Sequence, residues 1–132
     1  LLSGDHVLPT ITPHISGLGT TGDPLADFFS SLERMTSLPG VQLVLTGHIH
    51  LTEVLGFGGG RPPQMVAGIG GTLLLPDIEQ DVGGMDVAGA VVTTGMIASD
   101  HGFITFEPRR HGWAATMISR ALSPSVVLIA VG

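Results

Sequence analysis

Apolar and polar positions alternate along this chain in short stretches, and the period changes once. Leu1–Leu8 reads as a brief strand. Pro9–Gly22 is a loop of Thr, Pro, Gly and Ser. Asp23 followed by Pro24 is a helix start, the acid capping and the proline taking the first turn. Leu25, Phe28, Phe29, Leu32 and Met35 then recur at helical spacing, predicting one helix with an apolar stripe expected to be core. Pro39-Gly40 ends it, and the unbroken run Val41–Leu45 predicts a strand buried on both faces.

Beyond His50 the period shortens to that of strands. Leu51–Phe57, Gln64–Ala67, Thr72–Leu75, Val87–Thr94, Gly102–Glu107 and Trp113–Ile118 are the expected strands. Gly58-Gly59-Gly60 and Arg109-Arg110-His111-Gly112 are expected turns, the second closing a hairpin. Asp77–Met85 is expected to be a mobile loop with solvated Asp77, Asp81 and Asp86. The pattern predicts an α/β fold: a mixed sheet with one main helix and several β-hairpin strands. Residues 1–120 form a single domain in this reading. Within it, 1–48 is a strand–helix–strand unit with a parallel strand pair, 49–120 is β-rich, and 121–132 is a C-terminal extension.

Composition narrows the function. Charged residues make up only 12% of the 132 residues, and the net charge is -6. Five Lys and Arg are too few for a nucleic-acid-binding surface. Cysteine is absent, so a metal would be held by His, Asp, Glu or backbone oxygen. No apolar run reaches the ~20 residues of a membrane span, and no signal peptide is visible, so a cytoplasmic location is expected.

The candidate chemistry sits where strands end. Gly47-His48-Ile49-His50 follows the run Val41–Leu45, and Gly4-Asp5-His6 follows the first strand. Neutral imidazole is a common metal ligand. A parallel pair would bring Asp5 and His48 to one sheet edge, where open α/β sheets carry their sites. Asp5, His48 and His50 are therefore the expected metal ligands. His6, His14, His101 and His111 are lesser candidates, the last two read chiefly as surface residues. Arg61 is a weak candidate for contacting a phosphate.

Two families resemble different parts of the chain. Residues 1–48 resemble the C-terminal part of the metallo-β-lactamase fold. The resemblance lies in Leu2-Ser3-Gly4-Asp5-His6-Val7-Leu8-Pro9, Ile11-Thr12-Pro13-His14-Ile15, Gly22-Asp23-Pro24-Leu25 with Ser31-Leu32-Glu33-Arg34, and Leu43-Val44-Leu45-Thr46-Gly47-His48. It implies that Asp5 bridges two metals and that His48 binds the second. Residues 41–120 resemble the C-terminal part of calcineurin-like metallophosphoesterases, through Val41–His50, Gly60-Arg61-Pro62-Pro63-Gln64 and Gly70-Gly71-Thr72-Leu73-Leu74. That resemblance implies metal binding by both His48 and His50. The His-x-His-x-Asp-His motif of the first family is absent. So are the Asp-x-His, Gly-Asp-x-x-Asp and Gly-Asn-His motifs of the second. The chain is chimera-like, as an artificial or metagenomic product would be.

Together these resemblances imply half of an αββα-type sandwich, completed by dimerisation. They also imply a metal-dependent hydrolase of phosphate esters, chiefly phosphodiesters, using a metal-activated water. Zinc is the expected ion, with manganese or iron next. The expected partners are a small-molecule phosphate ester and a second copy in a homodimer that could exchange strands. The alternatives are a metal-binding homodimer or family fragment without significant catalysis, and a lactamase- or thioesterase-like hydrolase.

Overall fold

A computed structural model describes residues 1–4, 15, 22–71, 73–76, 81–110, 112–120 and 125–130. They form one helix, α1 (Pro24–Thr36), and ten strands. The strands are β1 (Leu2–Gly4), β2 (Val44–Thr46), β3 (Thr52–Gly56), β4 (Gln64–Ala67), β5 (Asp86–Val87), β6 (Ala90–Val91), β7 (Thr94–Ala98), β8 (Gly102–Arg109), β9 (Gly112–Ser119) and β10 (Ser125–Ala130). The mixed α/β class with one helix is therefore as the sequence predicts. Among the described residues no helix is long and apolar enough to cross a membrane.

Five strands make a mixed sheet in the order β1-β2-β4-β3-β7. β1, β2 and β4 are parallel, while β3 runs antiparallel to both β4 and β7. A second, antiparallel sheet has the order β10-β9-β8, so the segment 121–132 contributes a paired strand. The predicted hairpin is the β8–β9 pair, with Phe103 opposite Ile118 and Thr105 opposite Thr116.

β3 is the centre of the core because it buries both faces. Val54 joins Met65, Leu45 and Met96 of the first sheet to Ala115, Ile104 and Phe106 of the second. The next residue, Leu55, points the other way, as strand geometry requires. It packs with Val82, Val92, Met85 and Ile97. So one face of the mixed sheet is covered by the second sheet and the other by the segment 82–92.

That segment corrects two expectations. Val87–Thr94 is not one strand: Ala88 (φ 49°) and Gly89 (φ 80°) turn the chain back, making the small β5–β6 ribbon. Positive φ at both central residues is what a tight two-residue hairpin needs. The Asp86 carboxylate accepts from the Gly89 amide at 2.8 Å and fixes the turn. The expected mobile loop is anchored at its described end, because Val82 is only 4% exposed. Asp77 lies outside the described residues. Leu73–Pro76 is not a ladder strand, and the expected Val41–Leu45 strand shifts to Val44–Thr46, with Val44 and Leu45 half-buried.

The helix is formed by its ends. Asp23 Oδ1 accepts from the amides of Leu25 (3.0 Å) and Ala26 (3.1 Å). At the other end, the Thr36 and Ser37 hydroxyls donate to the Glu33 carbonyl. Its apolar stripe is not core: no helix residue is buried, and Leu25 and Phe29 are 50% and 58% exposed. The core around β3 is already closed by the second sheet and the 82–92 segment, leaving the stripe no buried seat there.

This contrast is measurable. Leu55→Ala should lower unfolding free energy by about 2–5 kcal/mol, while Phe29→Ala should change it by no more than about 0.5 kcal/mol, as for a surface residue. Urea denaturation of the two variants decides it. Equal losses would mean that the helix stripe is core after all.

Candidate functional site

The parallel arrangement gives one sheet edge most of the candidate residues. Gly4 is in register with Thr46, and Thr46 with Val66. β1, β2 and β4 therefore run out together. Antiparallel β3 begins at this edge, and its Thr52 pairs with Ala98 at the end of β7. Described parts of three connections meet there: Gly47–Leu51, Gly68–Gly71 with Leu73–Pro76, and Ser99–His101.

The histidine loop is tightly folded. β2 stops at Thr46, so the strand alternation does not carry through His48 and His50. The Ile49 amide instead donates to the Gly47 carbonyl, and the Leu51 amide to the Ile49 carbonyl, both at 2.9 Å. These are two successive γ-turns with a histidine at the middle of each. His48 takes φ 71°, the sparsely populated sense for such a turn. Backbone strain of this kind concentrates at functional sites. His48 is exposed and His50 half-buried.

Neighbouring segments hold the loop. The Gly68 amide donates to the Leu51 carbonyl at 2.9 Å. At Gly68 a Cβ would stand 1.8 Å from the Ile49 carbonyl oxygen and 2.7 Å from its carbon, so only glycine lets the two backbones lie this close. The Leu75 amide donates to the His50 carbonyl at 3.0 Å, and His50 Nδ1 lies 2.8 Å from the Leu73 carbonyl oxygen. A carbonyl only accepts, so Nδ1 carries the proton and a neutral ring keeps its lone pair on Nε2.

The other candidates divide by place. His101 follows β7 at the same edge and is exposed; its carbonyl accepts from the Arg120 amide at 3.0 Å. Asp100, half-buried beside it, was not singled out by the sequence reading. The signal was there, since Asp100-His101 repeats the Asp-His pair of Asp5-His6. Arg61 is at the opposite edge, ahead of β4, with its amide bonded to the Gly58 carbonyl at 3.1 Å. Asp5, His6, His14 and His111 lie outside the described residues. Among the described residues no group of three or more His, Cys, Asp or Glu is placed to hold a metal ion.

Two further features lie near or away from this edge. Glu53, three residues beyond His50, is 5% exposed. It pairs in register with Val66 and Ile97, which puts it on the Leu55 face. Burial pushes its carboxyl above the ordinary glutamate value. Its Oε2, Gln64 Nε2 and Thr52 Oγ1 are buried without hydrogen-bond partners. A cavity of about 530 Å³ with a mostly apolar lining lies away from the histidine loop. Leu1, Leu38, Val41, Leu43, Phe106 and Trp113 contribute to its walls. Its lining is unsuited to metal or acid–base chemistry, so the histidine edge is the better candidate.

No family model, curated protein or solved structure matches this chain.

Two outcomes follow. Gly68→Ala should displace the histidine loop, cost about 1–3 kcal/mol as overpacking does, and weaken zinc uptake. Gly70→Ala, with nothing within 4 Å of its Cβ, should do neither. Calorimetry and urea unfolding compare them, and identical behaviour would remove the close-approach argument. For Glu53, folding favours the protonated form. Its stabilising effect is full below the unfolded pKa of ~4.3 and is lost as pH rises through the higher folded value. Glu53→Gln should abolish that loss, so the stability difference between variant and parent should shift in the variant's favour as pH rises over this range. A difference independent of pH would contradict it.

Proposed function

We propose that the chain is a metal-dependent hydrolase of phosphate esters, with phosphodiesters as its substrate class and zinc as its ion. The observation that carries the reading is the 2.8 Å contact between His50 Nδ1 and the Leu73 carbonyl, at a strand end next to His48. Metal-ligating histidines commonly donate their second ring nitrogen in this way, which fixes the tautomer and orients the ring. His48 and His50, joined by Asp5, would supply two imidazoles and a carboxylate, a donor set that suits zinc, with manganese and iron next. A bound divalent ion supplies Lewis acidity toward a phosphoryl oxygen and a lowered pKa for water.

The chain's own part is orientation. The Leu73 carbonyl holds the His50 ring, the γ-turn backbone sets His48, and Gly68 allows both to sit against the sheet end. Arg61, at the far edge, is left out of substrate binding in this proposal. With a net charge of -6, the protein has little basic surface for the ester to meet. We further propose a homodimer. It would cover exposed apolar residues such as Leu25, Phe29 and Phe103, since both faces of the mixed sheet are already covered within one chain.

A second reading, a metal-binding dimer without catalysis, is favoured by the finding that no three-ligand group forms among the described residues. One experiment separates them. Hydrolysis of an activated phosphodiester should be abolished by a chelator and restored by Zn²⁺. His48→Ala and His50→Ala should lower bound zinc and rate together, by more than the ~10–100-fold typical of losing an outer-shell partner. Zinc binding without turnover supports the second reading. Unchanged zinc in both variants rejects the site. Sedimentation of a fully active, zinc-loaded monomer rejects the dimer.

A further inference from the structure

The geometry points to Ser99 as the residue that positions His50, a role that rests on the reading of His50 as a metal ligand. His50 is bonded twice to the segment Leu73–Pro76: its carbonyl accepts from the Leu75 amide, and its Nδ1–H donates to the Leu73 carbonyl. That segment belongs to no sheet. Its side chains anchor it weakly, with Leu73, Leu75 and Pro76 exposed and Leu74 half-buried. Hydrogen bonds add to that hold.

Ser99 supplies a further bond to this segment. Its hydroxyl donates to the Leu75 carbonyl. Ser99 directly follows Ala98, which pairs with Thr52 of β3, so the hydroxyl is fixed to the sheet. Both backbone groups of Leu75 are thus bonded, its amide to His50 and its carbonyl to Ser99. The Leu73 carbonyl, two residues back along the same segment, is held at the His50 ring as a result. This path ties the proton on Nδ1, and hence the lone pair on Nε2, to a side chain on another connection of the sheet.

Losing the Ser99 hydroxyl releases Leu73–Pro76 from the β7 end. The Leu73 carbonyl then no longer stays on the ring, and the neutral imidazole samples both tautomers. In the Nε2–H form a proton sits where a metal needs the lone pair.

The test uses the metal-free full chain and Zn²⁺ alone. Ring ¹⁵N NMR should show the Nδ1–H tautomer at His50 in the parent and a mixture in Ser99→Ala. Zn²⁺ affinity should fall by roughly 10–100-fold, the usual effect of losing an outer-shell partner. Ser99→Thr, which keeps the hydroxyl, should restore both. Backbone amide shifts in β8 and β9 should be the same in all three. If Ser99→Ala does not fold, Ser99→Cys, a weaker donor of similar size, takes its place with the same readouts. A single Nδ1–H tautomer in a folded variant without the hydroxyl overturns the inference. A tautomer shift in a protein that never takes up Zn²⁺ upholds the positioning role and defeats the metal reading instead.

Discussion

The histidine edge depends on one close approach between backbones. Gly68 leaves β4 so near to Ile49 that a methyl group would overlap the carbonyl oxygen. Only because that space is empty can Gly47–Leu51 fold into two γ-turns and lie on the sheet end. The Gly68–Leu51 hydrogen bond then joins the loop to the β3–β4 ladder. The His50 ring is held by main chain, through the Leu73 carbonyl.

The sheet behind the loop is braced from both sides. Val54 and Leu55 are adjacent in sequence but belong to separate apolar clusters. A shift of β3 by one residue would exchange the two sets and place Glu53 and Leu55 on the wrong sides. Register, and with it the start of β3 at Thr52, is therefore strongly specified. That start point fixes where the loop carrying His50 must end.

Local chemistry was legible in the sequence, and tertiary arrangement much less so. Asp23-Pro24 located the helix start because capping involves only nearby atoms. Gln64–Ala67 and the β8–β9 hairpin stood out by apolar pattern and turn spacing. The pattern could not say that the helix stripe would stay exposed, because burial depends on what else covers the sheet. It also read Val87–Thr94 as a single strand, since the turn there is set by the backbone of Ala88 and Gly89 more than by polarity. At the site, Gly47-His48-Ile49-His50 was conspicuous after its strand. Asp100 was not, because its place beside the histidine edge follows from β7 pairing with β3, a contact between residues some forty positions apart.

The exposed helix has a consequence for how the molecule opens. A thirteen-residue helix is near the length at which isolated helices are marginal in water, and α1 is held chiefly by its caps. Its amides should then exchange with solvent through local fraying, at a free energy well below that of the β3–β4 ladder. The chain would contain two cooperative units of unequal strength. The weaker joins β1 to β2, so the register of β1 beside Thr46 is guarded by its own pairing more than by the helix that follows it.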